Sequence, residues 1–355
     1  MTSLDAGVEG GVAGMPAVGV LGVGSLGKEH ARIYAALARE GVVRFAGVYD
    51  THPTSALEVA GRLGTRVFAT VDEALAGCDA LSVVTPTVTH LELAARAMEA
   101  GRHVLVEKPM TDTAAGASRL VALARERGVV LQVGHVERFN PVFAYLEKVA
   151  TAPRFIECHR LSPYPKRSTD IGVVLDLMIH DLDVVLAFVK SPLASVEAVG
   201  IPVLSRSEDI ANARLRFEDG CVANLTASRI SPERVRKIRV FSGGPAASYV
   251  SLDYRAQEGF VYRLAEEGAR ESSLVRKLFL GGEGAIVSEH AGRKIIREPV
   301  PISKEEPLAC ELRHFVQCVR ERRRPRVSGD QAKAALDVAF EIVRQVEAAG
   351  SGRLE

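Results

Sequence analysis

The chain has 355 residues, which exceeds the usual size of a single domain and predicts two domains. Its 45 basic and 44 acidic residues give a net charge of +1 and are mixed along the chain, so no surface for nucleic acid is predicted. No stretch approaches the roughly 18 consecutive apolar residues of a membrane-spanning helix, so no membrane association is predicted.

Two features of the sequence favour a cytoplasmic location. The five cysteines are odd in number and scattered, and no two form a CxxC pair, which indicates reduced thiols and no zinc site. Residues 1–15 are rich in glycine and alanine and lack the basic and apolar regions of a signal peptide. We expect them to form a flexible extension, with either Met1 or Met15 as the true start.

Residues 16–136 alternate between two patterns. Short valine-rich runs predict strands over residues 17–21, 42–49, 80–84, 103–106 and 129–133. Apolar residues at helical spacing predict helices over residues 26–39, 54–63, 71–76, 90–100 and 114–127. Alternation of strands and helices with short connections is typical of a parallel sheet that helices cover on both faces.

The first predicted strand runs into a glycine-rich turn with the spacing GxGxxG, which opens the first helix. In such a turn Gly22 permits the tight bend, Gly24 lets the backbone approach a pyrophosphate, and Gly27 lets helix and strand pack closely. The second strand ends at Asp50, where a carboxylate accepts hydrogen bonds from ribose hydroxyls and repels a 2′-phosphate. The pattern favours NAD over NADP. The alternative is a glycine-rich turn that binds no nucleotide.

Further cofactor contacts are expected where other strands end, because ligands of such sheets bind outside the carboxyl ends of the strands. The segments Thr85-Pro86-Thr87 and Glu107-Lys108-Pro109 each follow a predicted strand. His90 opens the next helix, where a role in capping or exposure to solvent is an equal alternative. The residues expected to bind the cofactor are Gly22, Gly24, Ser25, Leu26, Gly27, Asp50, Thr85, Pro86, His90, Glu107 and Lys108.

Lys108 is also a candidate for the chemistry. A lysine at the end of a buried strand is costly to bury unless it has a partner or a task. It can hydrogen-bond a substrate hydroxyl and stabilise the alkoxide that develops during hydride transfer. The alternative is a structural lysine that pairs with Glu107 or with a carboxylate on a helix.

The second part of the chain, residues 137–355, has a different pattern. We predict a linking helix at 142–149, a strand at 154–161 and an apolar helix at 173–189. Strands are then predicted at 195–204, 211–217, 221–228, 235–242 and 247–254, which indicates an antiparallel sheet with one covered face. Residues 266–300 are expected to form loops with a short strand or two. Two helices close the chain at 307–322 and 331–348, with Ser328 or Asp330 capping the second, which is expected to return to the first domain.

Asp176 and His180 are four residues apart, so they share one face of the apolar helix. A carboxylate beside an imidazole fixes its orientation and raises its basicity, as a general base for a secondary alcohol requires. The alternative is an ion pair on the helix surface, which is the commoner reason for this spacing. A metal site is not predicted, because the spacing places no third ligand.

Several other basic side chains are candidates for contact with a substrate. His135 follows a strand end and is expected to line the ligand cleft. Arg160, Lys166, Arg167 and Arg229 are candidates for binding an anionic substrate. The alternative for each of them is an ordinary place on the surface.

Four motifs together resemble the Gfo/Idh/MocA dehydrogenases: the glycine turn, Thr85-Pro86, Glu107-Lys108-Pro109 and the helix with Asp176 and His180. The resemblance implies an N-terminal Rossmann domain with a parallel sheet, at residues 16–136. It also implies a C-terminal α+β domain on an open, mostly antiparallel sheet, at residues 137–355, which binds the substrate and mediates homodimers or homotetramers.

The resemblance also implies roles for individual residues. Lys108 would orient or polarise the reacting hydroxyl, His180 would be the acid and base, and Asp176 would orient the sugar or the histidine. The family usually has asparagine after Thr-Pro, whereas this chain has Thr87. Contacts beside the nicotinamide are therefore expected to differ.

Within the family, residues 155–161, 170–183 and 210–217 are most similar to the UDP-N-acetylglucosamine 3-dehydrogenase-like branch of bacterial lipid A synthesis. This branch implies NAD-dependent oxidation of the 3-hydroxyl of a UDP-N-acetyl sugar, whose product an aminotransferase then takes. The basic residues after Leu161 would then face the diphosphate. One alternative is an inositol or simple-sugar dehydrogenase of the same family. Another is a regulator that senses the dinucleotide without catalysis.

Overall fold

The structure is a computed structural model that describes residues 14–150, 152–164, 171–244, 247–265, 285–290 and 293–351. The chain divides into two compact units. The first comprises the described residues up to Glu107 together with Arg119–Val133 and Leu312–Arg326. The second comprises the described residues of Lys108–Ser118, Gly134–Glu311 and Val327–Glu355. The main change of unit, after Val133, lies close to the boundary predicted after residue 136.

The first unit is built on a parallel sheet of five strands in the order β2-β1-β3-β4-β5. The strands are β1 Ala17–Leu21, β2 Arg44–Tyr49, β3 Ala80–Val83, β4 His103–Glu107 and β5 Leu131–Gly134. Every residue of β1, β3, β4 and β5 is buried, which is why these strands are largely apolar in the sequence. All five predicted strands are found, with ends within two residues of the predicted positions.

The helices predicted for the first third of the chain are also found, again within two residues. They are α1 Gly27–Arg39, α2 Pro53–Leu63, α3 Val71–Gly77, α4 His90–Glu99 and α5 Ala114–Arg127. The helices that follow are α6 Pro141–Val149, α7 Ile179–Phe188, α8 Pro307–Glu321 and α9 Gly329–Ser351. Among the described residues, no helix combines the length and apolar character that crossing a membrane requires.

The second unit is built on a sheet of nine strands in the order β13-β14-β12-β11-β10-β6-β9-β8-β7. The strands are β6 Pro153–Leu161, β7 Leu193–Ile201, β8 Ile210–Phe217, β9 Val222–Ser228, β10 Val235–Ser242, β11 Ser248–Asp253, β12 Glu258–Leu264, β13 Ala285–His290 and β14 Arg293–Pro299. Neighbouring strands are antiparallel except β6 and β9, which are parallel. The predicted fold class, a parallel Rossmann sheet followed by a mostly antiparallel open sheet, is confirmed.

The last helix, α9, packs on β7 within the second unit. Gln345 accepts a hydrogen bond from the N–H of Ala198 at 3.0 Å and donates one to the carbonyl of Val196 at 3.0 Å. At Gly200, an added Cβ would lie 2.8 Å from Val346, so the missing side chain is what allows the helix to lie close to the strand. The last helix therefore groups with the second unit, and its expected return to the first domain stays a prediction. The part of the C-terminal region that groups with the first unit is Leu312–Arg326.

The helix predicted over residues 173–189 has an irregular start. It consists of a π-helical turn, Val174–Met178, followed directly by α7. The N–H of Ile179 donates to the carbonyl of Val174, five residues earlier. Such turns occur mostly as single insertions in helices and often at functional sites. Asp176 lies within the turn and His180 follows it.

Candidate active site

The glycine turn between β1 and α1 forms a cradle that side chains would fill. Gly22 has a φ of +88°, and a Cβ there would lie 2.4 Å from the carbonyl oxygen of Val84. A Cβ on Gly27 would lie 1.9 Å from the carbonyl oxygen of Gly22. Gly24 is exposed, and nothing lies within 4 Å of the position of its Cβ. The backbone at the start of α1 is therefore open to a phosphate, which fits the pyrophosphate of a dinucleotide.

Asp50 follows β2 and is anchored by the backbone around it. One carboxylate oxygen accepts a hydrogen bond from the N–H of Val23 at 2.8 Å, and the other accepts one from the N–H of His52 at 2.8 Å. Partial burial raises the pKa of Asp50, but the N–H groups of His52 and Val23 outweigh this effect and lower it overall. Asp50 is therefore an ionised acceptor beside the glycine turn, as binding of the ribose of NAD requires.

We expect Asp50→Asn to weaken the preference for NAD over NADP. The amide oxygen still accepts from Val23, but the charge that favours ribose hydroxyls and repels a 2′-phosphate is removed. Loss of a hydrogen bond to a charged group predicts a rise in the KM for NAD of about ten- to a hundredfold. The measurement is the ratio of kcat/KM for the two cofactors, with exposed Glu58→Gln on α2 as the control. An unchanged ratio would contradict this role.

Two other residues expected at the cofactor make internal contacts within the first unit. His90 is buried at the start of α4, and its Nε2 lies 2.8 Å from the carbonyl oxygen of Thr85. It therefore fixes the turn that begins with Thr85-Pro86 rather than facing solvent. Glu107 is also buried, and its carboxylate lies 3.1 Å from Nε2 of His30 on α1. The side chain of Glu107 thus joins β4 to α1 in the core, and its expected contact with the cofactor is not supported.

Lys108 and Asp176 meet in the second unit. Lys108 directly follows the last residue of β4 in the chain, and its Nζ donates to the backbone carbonyl of Asp176 at 2.5 Å and to the carboxylate at 3.2 Å. Both side chains are mostly buried. The expected pairing of Asp176 with His180 is wrong, because the carboxylate of Asp176 binds Lys108 instead. The alternative for Lys108, a structural lysine that pairs with a carboxylate on a helix, is therefore observed. Lys108 also lies close enough to His180 for its charge to lower the pKa of that histidine.

His180 lies among positive charges. Its ring centroid is 6.2 Å from that of His135, with the two rings nearly perpendicular. Among the described residues, its Nδ1 is buried and has no hydrogen-bond partner. Burial lowers the pKa of His180 well below its usual value, and the charges of Lys108 and Arg160 lower it further. The imidazole is therefore neutral at neutral pH, which is the state that a general base needs in order to accept a proton.

Arg160 belongs to a buried network beneath this cluster. Its guanidinium donates to both carboxylate oxygens of Asp181 at 2.9 Å and to the carboxylate of Glu137 at 3.0 Å. Because Arg160 is 3% exposed and fully engaged by two carboxylates, its expected contact with an anionic substrate is wrong. The other two candidates, Lys166 and Arg167, lie outside the described residues.

Arg229 is also an internal residue rather than a substrate contact. It is completely buried, and its Nε donates to the carboxylate of Asp209 at 2.8 Å. The expectation for Arg229 is therefore wrong for the same reason as for Arg160. Within the described ranges, no group of three or more His, Cys, Asp or Glu residues is arranged to hold a metal ion.

Sequence reasoning missed two residues of this region. Glu137 lies in a short turn after His135 and binds Arg160, which is 23 positions later in the chain. Arg236 on β10 pairs across the sheet with Arg160, lies 3.8 Å from Glu137 and also lowers the pKa of His180. Neither had a local signal, because each contact joins segments that are distant in the chain.

The fold and this site define an NAD-dependent oxidoreductase that acts on CH–OH groups. The chain belongs to the Gfo/Idh/MocA family. The family model for "Oxidoreductase family, NAD-binding Rossmann fold" matches residues 17–135, and the model for "GFO/IDH/MocA C-terminal domain" matches residues 150–243. The resemblance inferred from the motifs is thereby confirmed.

Individual relatives support the same assignment. The chain is 37% identical to the UDP-N-acetylglucosamine 3-dehydrogenase of Acidithiobacillus ferrooxidans over 331 residues. This alignment covers 93% of this chain and 97% of the relative. A solved structure of that enzyme matches with a TM-score of 0.82 and 36% identity, covering 94% of this chain and 98% of the other. The scyllo-inositol 2-dehydrogenase (NAD(+)) of Bacillus subtilis is more distant, at 26% identity over 90% of this chain and 91% of the relative.

Proposed function

We propose that this protein oxidises the 3-hydroxyl of a UDP-N-acetyl sugar such as UDP-N-acetylglucosamine, with NAD as the hydride acceptor. The observation that carries the proposal is the identity of 37% to an enzyme of that activity along nearly the whole of both chains. The inositol dehydrogenase of Bacillus subtilis covers a similar share of the chain at only 26% identity. The difference supports the nucleotide-sugar branch over the inositol branch.

The residues of the second unit supply the proton chemistry of this reaction. Neutral His180 takes the proton of the reacting hydroxyl, and because Nδ1 is shielded from solvent, the nitrogen that takes it is Nε2. The ammonium of Lys108 donates a hydrogen bond to the same oxygen and stabilises the negative charge that develops there. Asp176 holds Lys108 in place through its carbonyl and its carboxylate.

The first unit supplies the cofactor site. Gly22, Gly24 and Gly27 shape the turn for the pyrophosphate, and Asp50 holds the ribose. When bound, NAD accepts the hydride from the carbon that carries the reacting hydroxyl. The proton lost from that hydroxyl stays on His180 until solvent takes it. The sugar therefore becomes a ketone, and one proton and NADH are released for each turnover.

The test is a screen of the purified protein for formation of NADH by absorbance. The substrates are UDP-N-acetylglucosamine, its uronic acid, UDP-glucose, inositol and glucose, each with NAD and with NADP. A 3-keto-sugar aminotransferase with its amino donor is added to pull the equilibrium. Turnover of UDP-N-acetyl sugars with NAD supports the proposal. Turnover of inositol or glucose alone would contradict it, and tight binding of NADH without any turnover would favour a regulator.

The same proposal includes the reaction that uses the product and the cellular location of the enzyme. The ketone product passes to an aminotransferase in the synthesis of an amino sugar for lipid A. The enzyme works in the cytoplasm, which is consistent with free thiols at all five cysteines. Adding the aminotransferase to the screen tests whether it takes the ketone product, because removal of the product raises the yield of NADH.

A homodimer or homotetramer forms through the open face of the large sheet. A row of aromatic rings crosses this face, with centroid distances of 5.5 Å from Phe155 to Phe241, 4.6 Å from Phe241 to Tyr249 and 5.0 Å from Tyr249 to Tyr262. All four rings are partly exposed, and aromatic side chains are enriched at interfaces relative to the rest of a protein surface.

We expect Phe241→Glu to lower the molecular mass in solution, because a charge in the middle of the aromatic row is costly to bury. The measurement is light scattering coupled to size-exclusion chromatography. Leu57→Glu on α2 is the control, since Leu57 is 63% exposed on the first unit. An unchanged mass for Phe241→Glu would show that another surface forms the oligomer.

A further inference from the structure

The segment that carries Asp176 and His180 is held at its start by a residue from a distant loop. The N–H of Val173 donates to the backbone carbonyl of Glu208 at 2.9 Å, and the N–H of Val174 donates to its carboxylate at 3.1 Å. The first N–H groups of a helix have no partner within the helix. Glu208 therefore acts as an N-terminal cap for the π-turn, although it comes 34 positions after Val174 in the chain.

The residue before this segment makes room for the cap. A Cβ on Gly172 would lie 2.0 Å from the carboxylate oxygen of Glu208, so any side chain there would push the carboxylate away. The carbonyl of Gly172 in turn accepts a hydrogen bond from the N–H of Asp176 at 3.0 Å. The position of the Glu208 carboxylate and the position of Asp176 are thus linked through one short stretch of backbone.

A buried ion pair holds both the loop and the start of the segment. Asp209 binds Arg229 through one carboxylate oxygen at 2.8 Å. Its other oxygen accepts three backbone N–H groups of the loop, from Val203, Leu204 and Ser205, at 2.8, 2.6 and 2.9 Å. Arg229 also donates to the carbonyl of Ile171 at 2.6 Å. The segment is therefore fixed from two sides just before the π-turn begins.

We propose that Glu208 is a positioning residue for the oxidation, and that its cap on the π-turn sets where Asp176 and His180 lie. The cap also sets the position of Lys108 indirectly, because Nζ of Lys108 is bound to the carbonyl and carboxylate of Asp176. The inference rests on the proposed roles of Lys108 and His180. Its energetic basis is that a displacement of about 1 Å in a reacting group costs on the order of a hundredfold in rate.

The first test is Glu208→Ala, which removes the acceptor for Val174. We expect kcat to fall about ten- to a hundredfold, while the affinity for NADH, followed by its fluorescence, stays within twofold. Glu208→Gln keeps an oxygen in the same place and is expected to retain most of kcat. Glu197→Ala is the matched control, because Glu197 is an exposed residue of β7.

Two further measurements separate positioning from folding and from the proposed function. Glu208→Asp keeps a carboxylate but retracts it from Val174, so it is expected to lower kcat even if Glu208→Ala does not fold. The ring signals of His180, followed by NMR with labelled histidine, are expected to shift in Glu208→Asp but not in Glu208→Gln or Glu197→Ala. This readout needs no substrate. Wild-type kcat and unshifted His180 signals in Glu208→Asp would overturn the inference.

Discussion

Replacing Lys108 by methionine is expected to lower kcat for sugar oxidation by about a hundred- to a thousandfold, the loss that follows removal of one preorganised donor from a developing oxyanion. Methionine has nearly the same length and remains apolar along its stem, but it has no proton to donate. The ammonium of Lys108 is directed by two acceptors of Asp176, at 2.5 and 3.2 Å. Its position is therefore set before the substrate arrives, and little reorganisation is needed at the reacting oxygen.

The experiment compares kcat and KM for UDP-N-acetylglucosamine in Lys108→Met with those in Lys148→Met. Lys148 is an exposed lysine of α6, so it gives the same chemical change away from the site. Binding of NADH with unchanged affinity would show that the first unit is intact. Lys108→Arg is expected to recover only a small part of the activity, because a planar guanidinium does not replace a compact ammonium. A kcat for Lys108→Met within threefold of the wild type would exclude the proposed role.

The parallel sheet could be predicted closely because its signals are local. The strands β1, β3, β4 and β5 are buried along their whole length, so they stand out as apolar runs between helices. The strand β12 was missed, because Val261 is its one buried residue and the alternation is correspondingly weak. Prediction therefore succeeded where burial is uniform along a strand and failed where a strand is mostly part-exposed.

The sequence predicted Asp176 and His180 as residues of the site, but it paired Asp176 with the wrong partner. The spacing of Asp176 and His180 predicted a pair on one helix face, as an α-helix of regular geometry would give. The π-turn changes the number of residues per turn at that point, and the carboxylate binds Lys108 instead. Nothing in the sequence between residues 173 and 180 marks this turn, because Glu208, which caps it, comes from another part of the chain.

The buried arginines show a second limit. Arg160 and Arg229 have the charge and the place in the sequence expected of residues that bind an anionic substrate. Each is nonetheless paired with a buried carboxylate inside the second unit. Burying an arginine is costly unless a carboxylate accompanies it. The carboxylates that do so are 21 and 20 positions away in the chain, on a helix and in a loop, so only the tertiary fold reveals them. A cationic side chain near a predicted site is thus weak evidence of substrate contact.

Replacing His180 by asparagine is expected to lower kcat by about a hundred- to ten-thousandfold, the usual contribution of a general base. The pH dependence makes the role specific. The reaction needs neutral His180, so activity falls as the pH drops through the pKa of this histidine. Because that pKa is well below 6.5, the wild type is expected to keep its kcat/KM across neutral pH and to lose it only under acidic conditions. The residual activity of His180→Asn is expected to lack this acidic loss.

Arg236→Gln tests the electrostatic origin of the low pKa without touching the base itself. Arg236 is one of the cations that lower the pKa of His180, so its removal is expected to raise that pKa and to move the acidic loss of activity to higher pH. The measurement is kcat/KM as a function of pH, together with the titration of His180 by NMR. Arg234→Gln is the control, since Arg234 is an exposed arginine two positions earlier in the chain. A shift of the profile to lower pH, or an equal shift in both variants, would show that the neighbouring cations do not hold His180 neutral.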